Sequence, residues 1–518
     1  MNDTLPTLIA SLRDPARYPH AVRQIDVIET HISWVVLAGE FAYKIKKPVN
    51  LGFLDFSSLD KRRFYCEEEL RLNRRLAPGL YLDVVAITGT AEQPVFNGAG
   101  EAIEYAVRMT RFPQEALLDR LLEQGALTPQ HIDALAAEIA AFHGTVAVAG
   151  ADSPFGAPQR VLTPAIENFR QIRALPDSHA DLAALDALQA WTEGRYSALE
   201  QTLARRKRDG FVRECHGDLH LGNVALIDGR ITLFDCMEFS ENLRWIDVMS
   251  EIAFLVMDLL DRGRVDLAYR ALNAWLEATG DYAGLAVLRF YLVYRAMVRA
   301  KVNAIRAAQA GLQPDERASV MERYRGYIRL AQGFAAESRP LLAITHGLSG
   351  SGKTTATQLL LESIGAVRIR SDVERRRLFG LAAHERSRSG VASGLYGADA
   401  TGLTYRHLET LAGAIVRAGF PAIVDAAFLQ RAQRDGFRQL ANTLGVPFAI
   451  LDFPADEATL RQRIAARMAQ GRDASEADLA VLEHQFATEQ PLAADEIPLT
   501  IDVAASFAEA LRRLGNTA

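Results

Sequence analysis

The segment from His216 to Glu238, HGDLHLGNVALIDGRITLFDCME, gathers the groups that phosphoryl transfer needs. That chemistry asks for a carboxylate beside an attacking hydroxyl. It also asks for oxygen ligands that hold a divalent cation against the phosphates, because negative charge must be neutralised as it moves. Asp218 lies in the loop ahead of Asn223, and Asp235 follows a hairpin signal, Asp228-Gly229 between VALI and ITLF. Taken singly, each has a plain reading: Asp218 caps a turn, Asn223 fills a left-handed position, Asp235 ends a strand. Taken together, with His216, His220 and Glu238 in the same stretch, they read as a site, since a tight loop feeding a hairpin brings them to one mouth.

A second cluster lies in ITHGLSGSGKTT, where Gly347, Gly352, Lys353 and Thr354 satisfy G-x-x-x-x-G-K-[ST]. An apolar strand pattern precedes it and a helix pattern, TATQLLLESIG, follows, which is the context this phosphate-binding loop requires. Backbone N–H groups from Gly347 through Ser349, Gly350, Ser351 and Gly352 to Thr355 would wrap a phosphate at a helix N-terminus. Lys353 would bridge the β- and γ-phosphates and Thr354 would ligate magnesium. Downstream, Asp372 in VRIRSDVERRRLFG stands among Arg370, Arg375 and Arg376, placed to activate an acceptor hydroxyl; the competing reading is that Ser371 or Asp372 caps the next helix. Asp425 ends the strand PAIVDAAFL as a candidate second-sphere magnesium ligand. Arg463 and Arg467, one helical turn apart and followed by Arg472, fit a lid that offers guanidinium groups to a triphosphate, although a solvated helix has the same pattern.

The elements that position these groups fall into two styles. Up to about residue 112, apolar runs alternate with turns (IDVIET, SWVVLAG, FAYKIKKPV, YLDVVAIT), predicting a mostly antiparallel sheet with one helix over about 57–76. From Gln114 the apolar positions recur at three and four, predicting helices to about Phe334. Polar composition over 311–340 and Pro340 place a boundary near residue 337. Beyond it, strand and helix patterns alternate, which predicts a parallel sheet. The expected organisation is therefore an α+β two-lobed domain over 1–337, with a small lobe of about 1–112 and a helical lobe of about 113–337. An α/β P-loop domain follows over 338–518. The short, partly helical linker points to a fixed orientation rather than free tethering.

The bulk numbers bound these readings. At 518 residues the chain exceeds a single core, which stops growing near about 250–300 residues. Lys+Arg 58 against Asp+Glu 64 leaves a formal charge of -6, which disfavours a general nucleic-acid or anionic-membrane binder. Cys66, Cys215 and Cys236 are far apart without CxxC spacing, as expected in a reducing cytosol. The first residues lack a basic region followed by an apolar run, and the apolar stretch Ile252 to Leu260 is short and holds Asp258, so a cytoplasmic location with no membrane span is expected.

The HGDLH-to-DCME segment, with its D-x-x-x-x-N spacing, resembles the aminoglycoside phosphotransferase and choline-kinase group of the protein-kinase-like fold, over roughly residues 20–330. The resemblance implies Asp218 as catalytic base, Asn223 and Asp235 as magnesium ligands, and His216 and His220 as shapers of the loop. It further implies a strand lysine paired with a helix glutamate to hold ATP. Lys44 is the candidate, since alternation puts Lys44 and Lys46 on one face, and Glu69 its partner, sharing a helix face with Leu72 and Leu76; Lys46 and Lys47 read equally as surface charge. No G-x-G-x-x-G precedes Lys44; the turn there is THISWVVLAGE, where His31 and Ser33 either cover phosphate or are ordinary core and strand residues. The C-terminal motifs resemble the zeta-toxin and polynucleotide-kinase-like branch of P-loop kinases over about 340–515, implying Asp372 as acceptor base and Arg463 and Arg467 as lid arginines. Two Mg-ATP kinases acting on small-molecule hydroxyls are thus expected. The alternatives are one domain serving as a nucleotide-binding regulatory module, or a C-terminal kinase acting on polynucleotide 5′-hydroxyls. Arg295, Arg299 and Lys301 suit an anionic acceptor better than an aminoglycoside, or else form a solvated basic face.

Overall fold

The computed structural model describes residues 4–50, 52, 54–175, 181–309, 311–381, 397–470 and 479–515. The chain forms two compact units. The first comprises Met1–His131, Ala141–Val161 and Ala204–Leu255; the second comprises Ile132–Ala140, Leu162–Leu203 and Val256–Ala518.

The first unit is built on a six-stranded antiparallel sheet. Its strands are β1 (Ile25–Glu29), β2 (Ser33–Ala38), β3 (Phe41–Lys46), β4 (Tyr81–Gly89), β5 (Pro94–Phe96) and β6 (Ala102–Thr110), in the order β1-β2-β3-β6-β4-β5. Strand alternation sends Tyr43 and Ile45 into a core with Val36, Val85, Ile87 and Leu12, which leaves Lys44 and Lys46 on the opposite face. Helix α1 (Leu59–Asn73) starts at Ser58, whose hydroxyl accepts a bond from the Lys61 N–H at 3.3 Å, and it buries Cys66, Glu69 and Leu72.

The rest of this unit carries the two ends of α2 (Pro129–Thr145), β7 (Val212–Glu214), β8 (Val224–Ile227), β9 (Arg230–Leu233), β10 (Trp245–Asp247) and the start of α3 (Val248–Asp261). β8 and β9 form the hairpin that Asp228-Gly229 predicts: both residues have positive φ, 49° and 73°, as a tight two-residue turn demands.

The second unit joins long helices, among them α4 (Val265–Thr279), α5 (Leu285–Ala307) and α6 (Pro314–Ala335), to a five-stranded parallel sheet. Its strands are β11 (Leu342–His346), β12 (Val367–Arg370), β13 (Ala422–Asp425), β14 (Phe448–Asp452) and β15 (Thr500–Asp502), in the order β12-β13-β11-β14-β15. β11 is central and buried along its whole length. The sheet helices are α7 (Lys353–Ile364), α8 (Ser371–Leu378), α9 (Ala398–Arg417), α10 (Arg431–Leu444), α11 (Glu457–Gln470), α12 (Leu479–Thr488) and α13 (Phe507–Gly515). This is the α+β region followed by an α/β region that the sequence patterns predict.

Helix α4 is pinned directly to the sheet. The Asn273 amide donates to the Ala366 carbonyl at 2.9 Å, and its oxygen accepts from the Arg368 N–H at 2.7 Å. Arg270 pairs with Glu362 at 2.7 Å, and the Tyr269 ring lies so close to Gly365 that an added Cβ would meet it at 2.8 Å. Among the described residues, no helix is long and apolar enough to cross a membrane.

Candidate active sites

In the first unit the loop after β7 turns sharply at Gly217, whose φ of 89° and close approach to the Leu243 carbonyl leave no room for a Cβ. Two backbone donors of this turn, the N–H groups of His216 and Gly217, are accepted by the Glu251 carboxylate of α3 at 3.0 and 2.7 Å. His143 of α2 braces the same carboxylate at 3.2 Å. Burial works against the charge on Glu251, but His143, His216 and the Gly217 N–H bring its pKa down to about 2. His216 is itself buried and reaches the Phe234 carbonyl at 2.7 Å. Burial alone would depress it, yet Cys236, Glu251 and that carbonyl raise it to about 10.

Asp218 follows with its carboxylate 35% exposed. The Asn223 amide donates to both its backbone carbonyl, at 2.9 Å, and its carboxylate, at 3.2 Å, while His220 Nε2 lies 3.6 Å away. Across the hairpin, the Phe234 N–H donates to the Asn223 carbonyl, which sets Asn223 opposite the residue preceding Asp235. Asp235 takes a left-handed conformation, φ 63°, and leaves its carboxylate 40% exposed. The Asp235–Glu238 turn is tied down along its length: Asp235 N–H to the Tyr81 hydroxyl at 3.1 Å, Cys236 N–H to Asn73 at 2.8 Å, and Met237 N–H to the His216 carbonyl at 2.9 Å.

The strand lysines meet this turn. Lys44 Nζ lies 2.7 Å from Glu69 and 2.5 Å from Asp235, and Lys46 Nζ lies 2.7 Å from the other Glu69 oxygen and also bonds Glu238. Lys44, the lysine the resemblance implies, thus contacts Glu69. Lys46 is wholly buried rather than a surface charge, because α1 and the Asp235–Glu238 turn cover its face of the sheet. Burial opposes the charge on Lys44, but Asp235 and Glu69 outweigh it and hold the ammonium protonated. Burial likewise opposes the charge on Glu69, and the two lysines keep it well below the usual carboxylate range; burial pushes Glu238 up. His31 is exposed in the β1–β2 turn, and Ser33, the first residue of β2, is buried.

In the second unit the groups converge at the carboxyl ends of the parallel strands, where open α/β sheets take ligands. Gly347, Gly350 and Gly352 have φ of 142°, 84° and 97°. A Cβ on Gly347 would meet the Phe453 carbonyl at 2.9 Å, and one on Gly350 the Leu460 carbonyl at 3.1 Å, so this loop is a backbone-only cradle. Lys353 Nζ curls over it to the carbonyls of Gly347 and Leu348 at 2.8 and 2.7 Å and to the Ser351 hydroxyl at 3.3 Å. The Thr354 hydroxyl donates to Asp425 at 2.8 Å, bringing together two oxygen donors of the kind a hard cation takes. Gln485 of α12 accepts the Ser349 N–H at 2.9 Å, and Thr355 faces solvent.

Arg463 of α11 reaches the loop, donating to the Ser351 carbonyl at 3.2 Å, whereas the side chain of Arg467 and all of Arg472 lie outside the described residues. Asp372 occupies the first turn of α8 at the end of β12, half-buried. Neither Asp372 nor Ser371 caps that helix: the N-cap is Arg370, without a side-chain capping bond, so the capping reading does not hold. Arg295 is buried against Tyr294 and Lys301 is depressed by burial, so neither forms a solvated basic face.

Several contributors escape a reading of spacing alone. Glu251 and His143 act on the first loop from helices distant in sequence, and their only signal is polarity inside apolar helical runs. Arg368 of β12, buried in the strand pattern VRIR, donates to the Thr354 carbonyl at 2.9 Å and the Thr357 hydroxyl at 3.2 Å, steadying the first turn after the loop. Glu277 of α4 holds Arg370 at 2.9 Å.

Residues 61–291 match the model of the phosphotransferase enzyme family, and residues 342–492 match that of the AAA domain. The uncharacterized protein Rv2004c of Mycobacterium tuberculosis is 30% identical over 453 residues, spanning 87% of this chain and 88% of the relative; protein Mb2027c of Mycobacterium bovis matches to the same extent. Among solved structures, an amicoumacin kinase complexed with AMP-PNP, calcium and amicoumacin is 16% identical, covering 64% of this chain and 94% of its own at a TM-score of 0.40. A gluconokinase from Sinorhizobium meliloti 1021 is 20% identical, covering 35% and 93% at a TM-score of 0.25.

Proposed function

We propose that this chain, which belongs to the family of proteins joining a phosphotransferase-enzyme-family segment to a C-terminal AAA domain, carries two separate Mg-ATP-dependent kinase sites, each acting on the hydroxyl of a small molecule. The observation that carries the reading is the pattern of exposure at the first site. Asp218 and Asp235 keep carboxylates open at 35% and 40%, while Glu69, Lys46 and Glu238 behind them are sealed at 0–4%. A reacting hydroxyl meets a base, and a phosphate meets an oxygen ligand, without touching the supporting charges.

At the first site Asp218 accepts the proton of the acceptor hydroxyl, oriented by Asn223 and His220. Lys44 turns from Asp235 toward the nucleotide phosphates while Glu69 keeps its ammonium charged. Asn223 and Asp235 are the oxygen donors that fit a magnesium ion. At the second site the glycine cradle binds phosphate oxygens through N–H groups, Lys353 leaves the loop carbonyls for the phosphates, and Thr354 with Asp425 fits the cation. Magnesium, when bound, neutralises the charge that moves with the phosphoryl group. Asp372 is the acceptor base and Arg463, with Arg467, the lid cation pair. The first site is assigned to a functional region of 1–337 and the second to 338–518, although Val256–Ala335 packs in one compact unit with the parallel sheet, and three free, buried cysteines suit a cytosolic setting.

The test incubates the full chain with ATP and a metabolite library and detects phosphorylated products by mass. Asp218→Asn and Lys353→Ala are expected to remove different products. If one substitution removes all transfer and the other none, the domain whose substitution is silent is a regulatory module instead. Transfer to a 5′-hydroxyl oligonucleotide, lost in Lys353→Ala, would replace the small molecule with a nucleic-acid end at that site.

A further inference from the structure

The charged groups of the first site form one unbroken series of alternating sign: Asp235, Lys44, Glu69, Lys46, Glu238, with successive contacts of 2.5, 2.7 and 2.7 Å before the Lys46–Glu238 bond. The series is open at one end and sealed at the other. Asp235 is 40% exposed and Lys44 12%, but Lys46 is 0% exposed, its ammonium 5.0 Å from the centre of the Phe56 ring, so it reaches no bound phosphate.

Burying two carboxylates and an ammonium there is costly, and apolar side chains of similar volume often serve stability as well or better. The geometry indicates what the buried lysine does instead. Glu69 stands on α1 and divides its two oxygens between the lysines, so Lys46 holds the glutamate in the orientation that presents its other oxygen to Lys44. Glu238 closes the turn that begins at Asp235, and Lys46 fastens that end to β3, with Arg244 holding the Glu238 carbonyl at 3.1 Å. Strand periodicity places Lys44 and Lys46 on one face, so a single strand fixes both ends of the series.

We propose that Lys46 is a positioning residue of the first phosphoryl-transfer site. It sets Glu69, and through Glu238 the cation-ligand Asp235, as one unit, so that the phosphate lysine and the cation ligand are registered to each other before nucleotide arrives. This rests on the kinase reading of that site. Without Lys46, Glu69 and Glu238 are two facing buried carboxylates; they move apart, and the turn carrying Asp235 moves with Glu238.

The experiment uses the full chain with Lys353→Ala, which silences the second site, and titrates a fluorescent ATP analogue with Mn2+ as the probe cation. Loss of residues supporting cation ligands typically weakens metal affinity about 10–100-fold. Lys46→Met/Glu238→Gln, which removes the charge imbalance, is therefore expected to raise the Mn2+ half-saturation about ten-fold or more while changing nucleotide affinity at saturating Mn2+ less than about three-fold. Glu238→Gln alone, which leaves Lys46 in place, is expected to shift the Mn2+ half-saturation in the same direction by a smaller factor; it carries the test if the Lys46 variants do not fold. An unchanged Mn2+ half-saturation in a folded variant would show that Lys46 only supports the fold and would overturn the proposal. If the Lys353→Ala parent itself binds no Mn-nucleotide, the kinase reading of the first site fails, and the role of Lys46 with it.

Discussion

The two sites solve one electrostatic problem with different materials. The first gathers side-chain charges from β3, α1, the loop after β7 and the Asp235–Glu238 turn, and steadies them from α2 and α3, so its geometry depends on packing across the whole unit. The second is mostly backbone: a single turn from Gly347 to Thr354 supplies the cradle, and the Thr354 hydroxyl donates to the distant Asp425 at 2.8 Å. A site of buried side chains should fail when charge is removed, whereas a site of backbone donors should fail when a Cβ is added.

The largest effect that separates them is chemical. Asp218→Asn should lower first-site transfer by about 10²–10⁴-fold, the usual worth of a positioned base, while leaving nucleotide affinity at the second site unchanged. Product-resolved kinetics in the Lys353→Ala chain reads the first value, and nucleotide titration of the Asp218→Asn chain reads the second. Loss of both would break the distinction.

Next is Glu251→Ala, which removes the carboxylate that accepts from the His216 and Gly217 N–H groups and that His143 braces. It should cost about 3–5 kcal/mol in urea unfolding followed by a probe in the first unit, as removing one partner of a buried charge does. Gly347→Ala should cost about 1–3 kcal/mol and weaken second-site nucleotide binding, because it forces a side chain onto a φ of 142° and into the Phe453 carbonyl. Gly229→Ala, at positive φ in the β8–β9 turn but with nothing near its Cβ, should cost less, about 1 kcal/mol, and leave nucleotide binding intact.

A pH dependence is expected at the first site as well. His216 is raised to about 10 in the folded protein from an ordinary value near 6.5, so folding favours its protonated form. The stabilisation is complete below about pH 6.5 and is lost as pH rises toward 10, with a slope of at most about 1.4 kcal/mol per pH unit. Thermal melting across that window should decline in the native chain and flatten in His216→Asn. An equal decline in both would assign the dependence elsewhere.

What was legible followed from range. The Asp228-Gly229 hairpin, the Gly347–Thr354 loop and the Asp218–Asn223 spacing are local, and turn geometry ties each to residues a few positions away. Lys44 and Glu69 were legible because strand and helix periodicities name the inward face. The same alternation put Lys46 on that face but could not say what covers it, since the covering turn lies some 190 residues on. Glu251 and His143 were invisible for the same reason. The helices from Val256 to Ala335 read as part of the kinase-like region, yet they cluster with the parallel sheet. An apolar helix stripe announces that it will be buried, not against what.

By itself, then, the sequence determined two motif-bearing loops, the strand face that Lys44 and Lys46 occupy and the glycines the turns require, because these depend on spacing and backbone sterics. Tertiary structure decided which charges share a buried series, that a helix carboxylate holds the first loop from behind, and that Asn273 of α4 is pinned to β12. Those are contacts between distant segments, and only packing selects among the many pairings that the same polar and apolar patterns permit.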